Sequence, residues 1–66
     1  MSLFERIATA LNLSIQTDKH GQYTGKTAAL FVIVNNLIFY GNYDDDELKT
    51  RAISRFYECF PYMRNA

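Results

Sequence analysis

Polar and apolar positions fall into three regimes along this chain. At the start, Leu3, Phe4, Ile7, Ala8 and Leu11 recur at helical spacing, while Glu5, Arg6, Thr9 and Asn12 occupy the opposite side. Ser2 followed three residues later by Glu5 is a capping box, so a helix is predicted from about Leu3 to Asn12 with one buried face. Toward the end, Leu48, Ala52, Ile53, Phe56, Cys59 and Phe60 form a second apolar arc, opposed by Thr50, Arg51, Ser54, Arg55 and Glu58. That helix is entered through Asp44-Asp45-Asp46-Glu47, where carboxylates cap orphan N–H groups and suit the helix dipole, and it is stopped by Pro61.

Between these helices the period changes. Leu13, Ile15 and Thr17 alternate with Ser14 and Gln16, which is the two-residue repeat of a half-buried strand. Asp18-Lys19-His20-Gly21 supplies turn chemistry, Gln22-Tyr23-Thr24 reads as the returning strand, and Gly25 marks a bulge or bend. The run from Ala28 to Gly41 is then apolar except for Asn35 and Asn36. Its branched and aromatic residues favour strands, and two asparagines suit the centre of a tight turn, so a hairpin is expected there. The predicted fold is therefore α+β, a single domain over residues 1–66 in the order αβββα, with short tails at 1–2 and 62–66. A three-helix, all-α fold is the alternative if the central run is helical.

A two-residue turn at Asn35-Asn36 sorts the hairpin into two faces, both apolar. Leu30, Val32, Val34, Leu37 and Phe39 share one; Phe31, Ile33, Ile38 and Tyr40 share the other. Either one helix lies on each face and nothing is left over, or the two short helices cover one face only and the surplus apolar surface marks an interface. Phe31, Ile33, Ile38 and Tyr40, with Tyr43 beyond the turn, are accordingly the candidate anchors for a partner.

Composition narrows the chemistry. A chain of 66 residues buries only ~60% of the surface its unfolded form exposes, so stability calls for a supplement. One cysteine, Cys59, excludes an internal disulfide; with one histidine, His20, it offers no zinc cluster. Cys59 on the apolar arc is expected to be a buried, inert thiol, and His20 a solvated turn residue. Seven basic residues balance seven acidic ones, which argues against a nonspecific nucleic-acid binder. The N-terminus lacks the pattern of a signal peptide, and no apolar run approaches the ~20 residues needed to span a bilayer, so a cytoplasmic protein is the expectation.

Gly25-Lys26-Thr27 reproduces the end of a phosphate-binding loop, but the motif wants a glycine where His20 stands. No nucleophile with its base, carboxylate pair at catalytic spacing or metal cluster is evident, so neither catalysis nor a cofactor is expected. In order and length the chain resembles the double-stranded-RNA-binding domain, a resemblance of topology alone. Where that family presents basic residues to RNA at the start of its second helix, this chain has Asp44, Asp45, Asp46 and Glu47, which would repel phosphates.

These readings favour a non-enzymatic protein-binding module, an inhibitor or adaptor that occludes a basic or nucleic-acid-binding surface of a larger protein or protein–nucleic-acid complex. In size and composition it is similar to small anti-defence proteins of phages and mobile elements. Asp44, Asp45, Asp46 and Glu47 would steer that association, and five tyrosines and five phenylalanines supply anchoring side chains. The alternative is a homo-oligomer, structural or nucleic-acid-binding, in which Arg51 and Arg55 form a basic stripe repeated by symmetry.

Overall fold

The first helix, α1 (Leu3–Ala10), begins where its capping box dictates. The Ser2 hydroxyl accepts from the Glu5 N–H at 3.2 Å, and the Glu5 carboxylate accepts from the Ser2 N–H at 3.1 Å. That second bond, then the hydroxyl contact and the N-terminal charge, hold the Glu5 carboxyl below its ordinary value of 4.5. The helix ends two residues before the expected Asn12. Asn12 adopts the left-handed conformation at φ 56°, its N–H donating to the Thr9 carbonyl and that of Leu13 to the Ala8 carbonyl. This is a Schellman cap, and asparagine tolerates its left-handed position better than other non-glycine residues. Leu13 thereby folds back onto the core.

The computed structural model describes residues 1–65 and contains, after α1, two longer helices: α2 (Gly25–Tyr40) and α3 (Asp45–Cys59), followed by a 3₁₀ turn, Pro61–Asn65. The αβββα expectation is therefore overturned, and the all-α alternative describes the chain. Of the meander only its first turn is present. The Asp18 side chain accepts from the His20 and Gln22 N–H groups at 2.8 and 3.0 Å, Gly21 takes φ 77°, and Thr17 and Tyr23 form a single antiparallel bridge. The arms cannot grow into strands, because α2 starts two residues after Tyr23 and a bare hairpin is marginal in water.

The larger correction concerns the central run, a continuous helix with no turn at Asn35-Asn36. Thr27, Leu30, Val34 and Leu37 are buried along one stripe with helical spacing. The residues on the opposite side are apolar too, so the run has no contrast from which a helical period could be read. Burying a Leu, Val or Phe side chain contributes about 1.5–3 kcal/mol, whereas branching at Val or Ile costs a few tenths per residue, so packing overrides propensity.

α2 packs chiefly on α3, and α1 touches both. Ile7, Ala8 and Leu11 meet Leu30, Val34 and Leu37 of α2 and Leu48, Ala52 and Phe56 of α3. Asp44 caps α3, accepting from the Glu47 N–H at 2.8 Å, as the sequence leads one to expect. Phe60 closes it in a non-helical conformation ahead of Pro61. Met63 of the 3₁₀ turn packs against the core, and Cys59 is exposed rather than buried, because it ends α3 beyond the last buried position, Phe56.

Candidate interaction surface

The Gly25-Lys26-Thr27 segment that imitates a phosphate loop has structural partners instead. Thr27 is fully buried, and its hydroxyl oxygen accepts from the Gln16 N–H at 3.0 Å, tying the connection between α1 and α2 to the helix start. The Lys26 ammonium lies 5.9 and 5.5 Å from the Phe60 and Tyr62 ring centres. Gly25 takes φ 59° where the chain enters the helix.

The face of α2 turned away from the core is where the fold leaves apolar surface uncovered. Phe31, Val32, Ile38 and Phe39 lie along it with Ala28 and Asn35, and their exposures are 43%, 56%, 58% and 82%. The spacing 28, 31, 32, 35, 38, 39 is one stripe of a helix. At its N-terminal end the stripe broadens into aromatic surface. Tyr23 stacks on Phe4 at 5.1 Å, and both rings meet Phe31, at 5.2 and 6.0 Å. Gly21, Gln22, Tyr23, Ala28, Phe31 and Val32 line an open groove there. At the other end Phe39 leans on Tyr40 at 5.3 Å. No charged residue occurs from Thr27 to Tyr43.

The grouping of Phe31, Ile33, Ile38 and Tyr40 on one face belongs to the hairpin and disappears with it. A helix keeps Phe31 and Ile38 together on the outer stripe. It turns Ile33 inward, where it packs half-buried against the core, and sets Tyr40 on a different side, beside Asn36 and Arg55. Val32 and Phe39, which the hairpin assigned to the other face, join the stripe. Their one signal in the sequence is the 4-3-4 spacing from Ala28 through Val32 and Asn35 to Phe39, which becomes visible only once α2 is read as a helix.

Tyr43 packs half-buried against the core, and the Arg51 guanidinium covers its ring at 4.5 Å. The four carboxylates gather at the start of α3, where those of Asp44, Asp45 and Glu47 have local partners and Asp46 contributes a backbone contact. Asp44 caps the helix, Asp45 faces Arg6 at 3.7 Å, Glu47 faces Arg51 at 3.9 Å, and the Asp46 carbonyl accepts from the Thr50 hydroxyl at 3.0 Å. Both ion pairs are solvent-exposed, and such pairs are worth about 0–1 kcal/mol, so the carboxylates can exchange partners at little cost. Arg51 and Arg55 share a shallow depression with Ser54 and Glu58 on the outside of α3.

Comparison with known protein families, curated proteins and solved structures finds no match for this chain. Among the described residues no group of three His, Cys, Asp or Glu side chains is placed to hold a metal ion. No helix is long and apolar enough to cross a membrane among them. His20 is exposed in the Asp18 turn.

Proposed function

We propose that this chain is a non-enzymatic protein-interaction module, an inhibitor or adaptor that works by covering surfaces. The observation that carries the reading is the outer stripe of α2. A helix of a small three-helix core needs one apolar side, and α2 has two, the second bearing Phe31, Val32, Ile38 and Phe39 toward solvent. Keeping such side chains in water forgoes about 25 cal/mol for every Å² of apolar area, a cost that contact with another protein recovers.

The acidic corner gives the module polarity. Asp44, Asp45, Asp46 and Glu47 stand just beyond the end of α2, close in sequence to exposed Tyr40, and suit the basic, nucleic-acid-binding surface of a larger protein. Carboxylates held only by exposed ion pairs are free to re-pair with lysines or arginines of that surface.

Affinity capture from the native host tests the reading, using the wild-type chain, Phe39→Glu, and a variant with Asp44→Asn, Asp45→Asn, Asp46→Asn and Glu47→Gln. Asparagine caps helices as well as aspartate does, so the last variant keeps α3. A bound protein lost in either variant, with a salt-sensitive association, is the expected result. Equal recovery by all three chains would refute the assignment of both surfaces.

A further inference from the structure

We infer that the outer face of α2 is closed by a second copy of this chain, α2 lying against α2 about a two-fold axis near Asn35. The inference rests on the reading above that this face is an interaction surface, and it adds what occupies it.

The pattern of the face is the first support. Ala28, Phe31, Val32, Asn35, Ile38 and Phe39 fall at the a, d and e positions of two successive heptads, the arrangement by which one helix packs along another. The second is charge. A stretch without charge from Thr27 to Tyr43 can lie against itself without bringing like charges together, and it offers nothing that would select a charged groove instead.

Asn35 is the third support. It sits between the two apolar halves of the stripe, Phe31 with Val32 and Ile38 with Phe39, and it is exposed. Covering it with an apolar partner would strand an amide that both donates and accepts, at a cost of about 1–3 kcal/mol. A symmetry-related asparagine satisfies it, because the amide is its own complement, and in helical seams a central asparagine fixes the register.

Area and direction complete the case. Scaling the fractional exposures of Tyr23, Phe31, Val32, Ile38 and Phe39 to ordinary side-chain areas gives about 550 Å² available per copy, or about 1,100 Å² for the pair. That lies at the lower end of the sizes of specific interfaces, where weak, concentration-dependent association is expected. An antiparallel arrangement is favoured, since a parallel one would set the two clusters Asp44–Glu47 side by side. Antiparallel pairing leaves each acidic corner at an opposite end of the dimer, open to a larger partner.

Sedimentation equilibrium of the full chain between about 1 and 100 µM tests the inference. A species of twice the 7.7 kDa chain mass is expected in the upper part of that range. Phe39→Glu and Ile38→Glu replace exposed side chains, so they should retain the helical circular dichroism spectrum and sediment as monomers. Asn35→Asp should weaken association about tenfold or more at neutral pH and recover near pH 4, where carboxylates facing each other take up protons. A wild-type chain that stays monomeric throughout, or a Phe39→Glu chain that dimerises unchanged, would overturn the inference. If the monomeric wild type nevertheless captures a host protein that Phe39→Glu loses, the second copy is the wrong occupant and the interaction reading stands. If Phe39→Glu captures that protein equally, both fall.

Discussion

Thr27 offers a sharp check on how the long connection between α1 and α2 is held. Replacing it with valine keeps the shape of the side chain and removes one atom's chemistry, the hydroxyl oxygen that accepts from Gln16 at 3.0 Å. An intramolecular hydrogen bond of this kind is worth about 0.5–1.5 kcal/mol net, and leaving the part-buried Gln16 N–H without a partner raises the loss toward 1–3 kcal/mol. The new methyl group, fully buried like the oxygen it replaces, returns about 0.8 kcal/mol. The balance is a loss of about 1 kcal/mol, which lowers the melting temperature of a domain this size by about 4–8 °C. Thermal melts followed by far-ultraviolet circular dichroism measure that loss, and amide exchange at Gln16 localises it, since that N–H should be protected in the wild type and exchange freely in the variant. Thr27→Ser separates the two halves of the side chain: it keeps the acceptor, so it should leave the amide protected while losing about 1 kcal/mol of methyl burial. A Thr27→Val chain that melts at or above the wild-type temperature with Gln16 still protected would show that the connection is held by something else.

Phe56→Ala empties the centre of the core beside Phe60, 4.8 Å away, at a cost of about 3–5 kcal/mol; a chain of this length has about 3–10 kcal/mol in total, so most of the helical signal should vanish at room temperature. Gly41→Ala places a methyl group against the Tyr43 ring, and moving that ring off Arg51 should cost about 1–3 kcal/mol in a denaturant titration, with a changed near-ultraviolet tyrosine spectrum. Ser2→Ala removes the hydroxyl that accepts from the Glu5 N–H, one half of the capping box, and should cost about 1 kcal/mol at neutral pH. Because the folded Glu5 carboxyl is lowered, its contribution is present above the unfolded value near 4.5 and fades as pH falls through the folded one. The gap between wild type and Glu5→Gln, which replaces the carboxylate that accepts from the Ser2 N–H with a neutral amide, should therefore narrow in acid, and a gap independent of pH would exclude that carboxylate as the source.

The two flanking helices were legible because each buries one side only. Leu3 to Leu11 and Leu48 to Phe60 show a polar arc against an apolar one, and Ser2 and Asp44 mark their starts. α2 was not, since a helix with Leu30, Val34 and Leu37 inward and Phe31, Val32, Ile38 and Phe39 outward carries no alternation of character to reveal its period. Its branched residues and pair of asparagines point locally to strands and a turn. The same ambiguity reaches the interaction surface: either geometry places Phe31 and Ile38 together, whereas Ile33 and Tyr40 share a face only in a hairpin. The acidic corner was readable as a helix start, but the pairing of Asp45 with Arg6 joins residues far apart in sequence and has no local signature.

The connection from Asn12 to Thr24 also determines where the chain tolerates additions. Its ends are clasped, with the Thr24 N–H donating to the Gln16 carbonyl at 3.1 Å, while Lys19 and His20 stand exposed at the tip. Residues inserted between those two would open the Asp18 turn, whose side chain accepts from the His20 and Gln22 N–H groups, but leave the clasp at Thr24 and Gln16 outside the lengthened segment, where each doubling of loop length adds only about 0.6 kcal/mol. A fluorophore placed there would stand next to the groove of Gly21, Gln22, Tyr23, Phe31 and Val32 and far in sequence from the acidic corner, so its emission would report on what covers the N-terminal end of the α2 stripe.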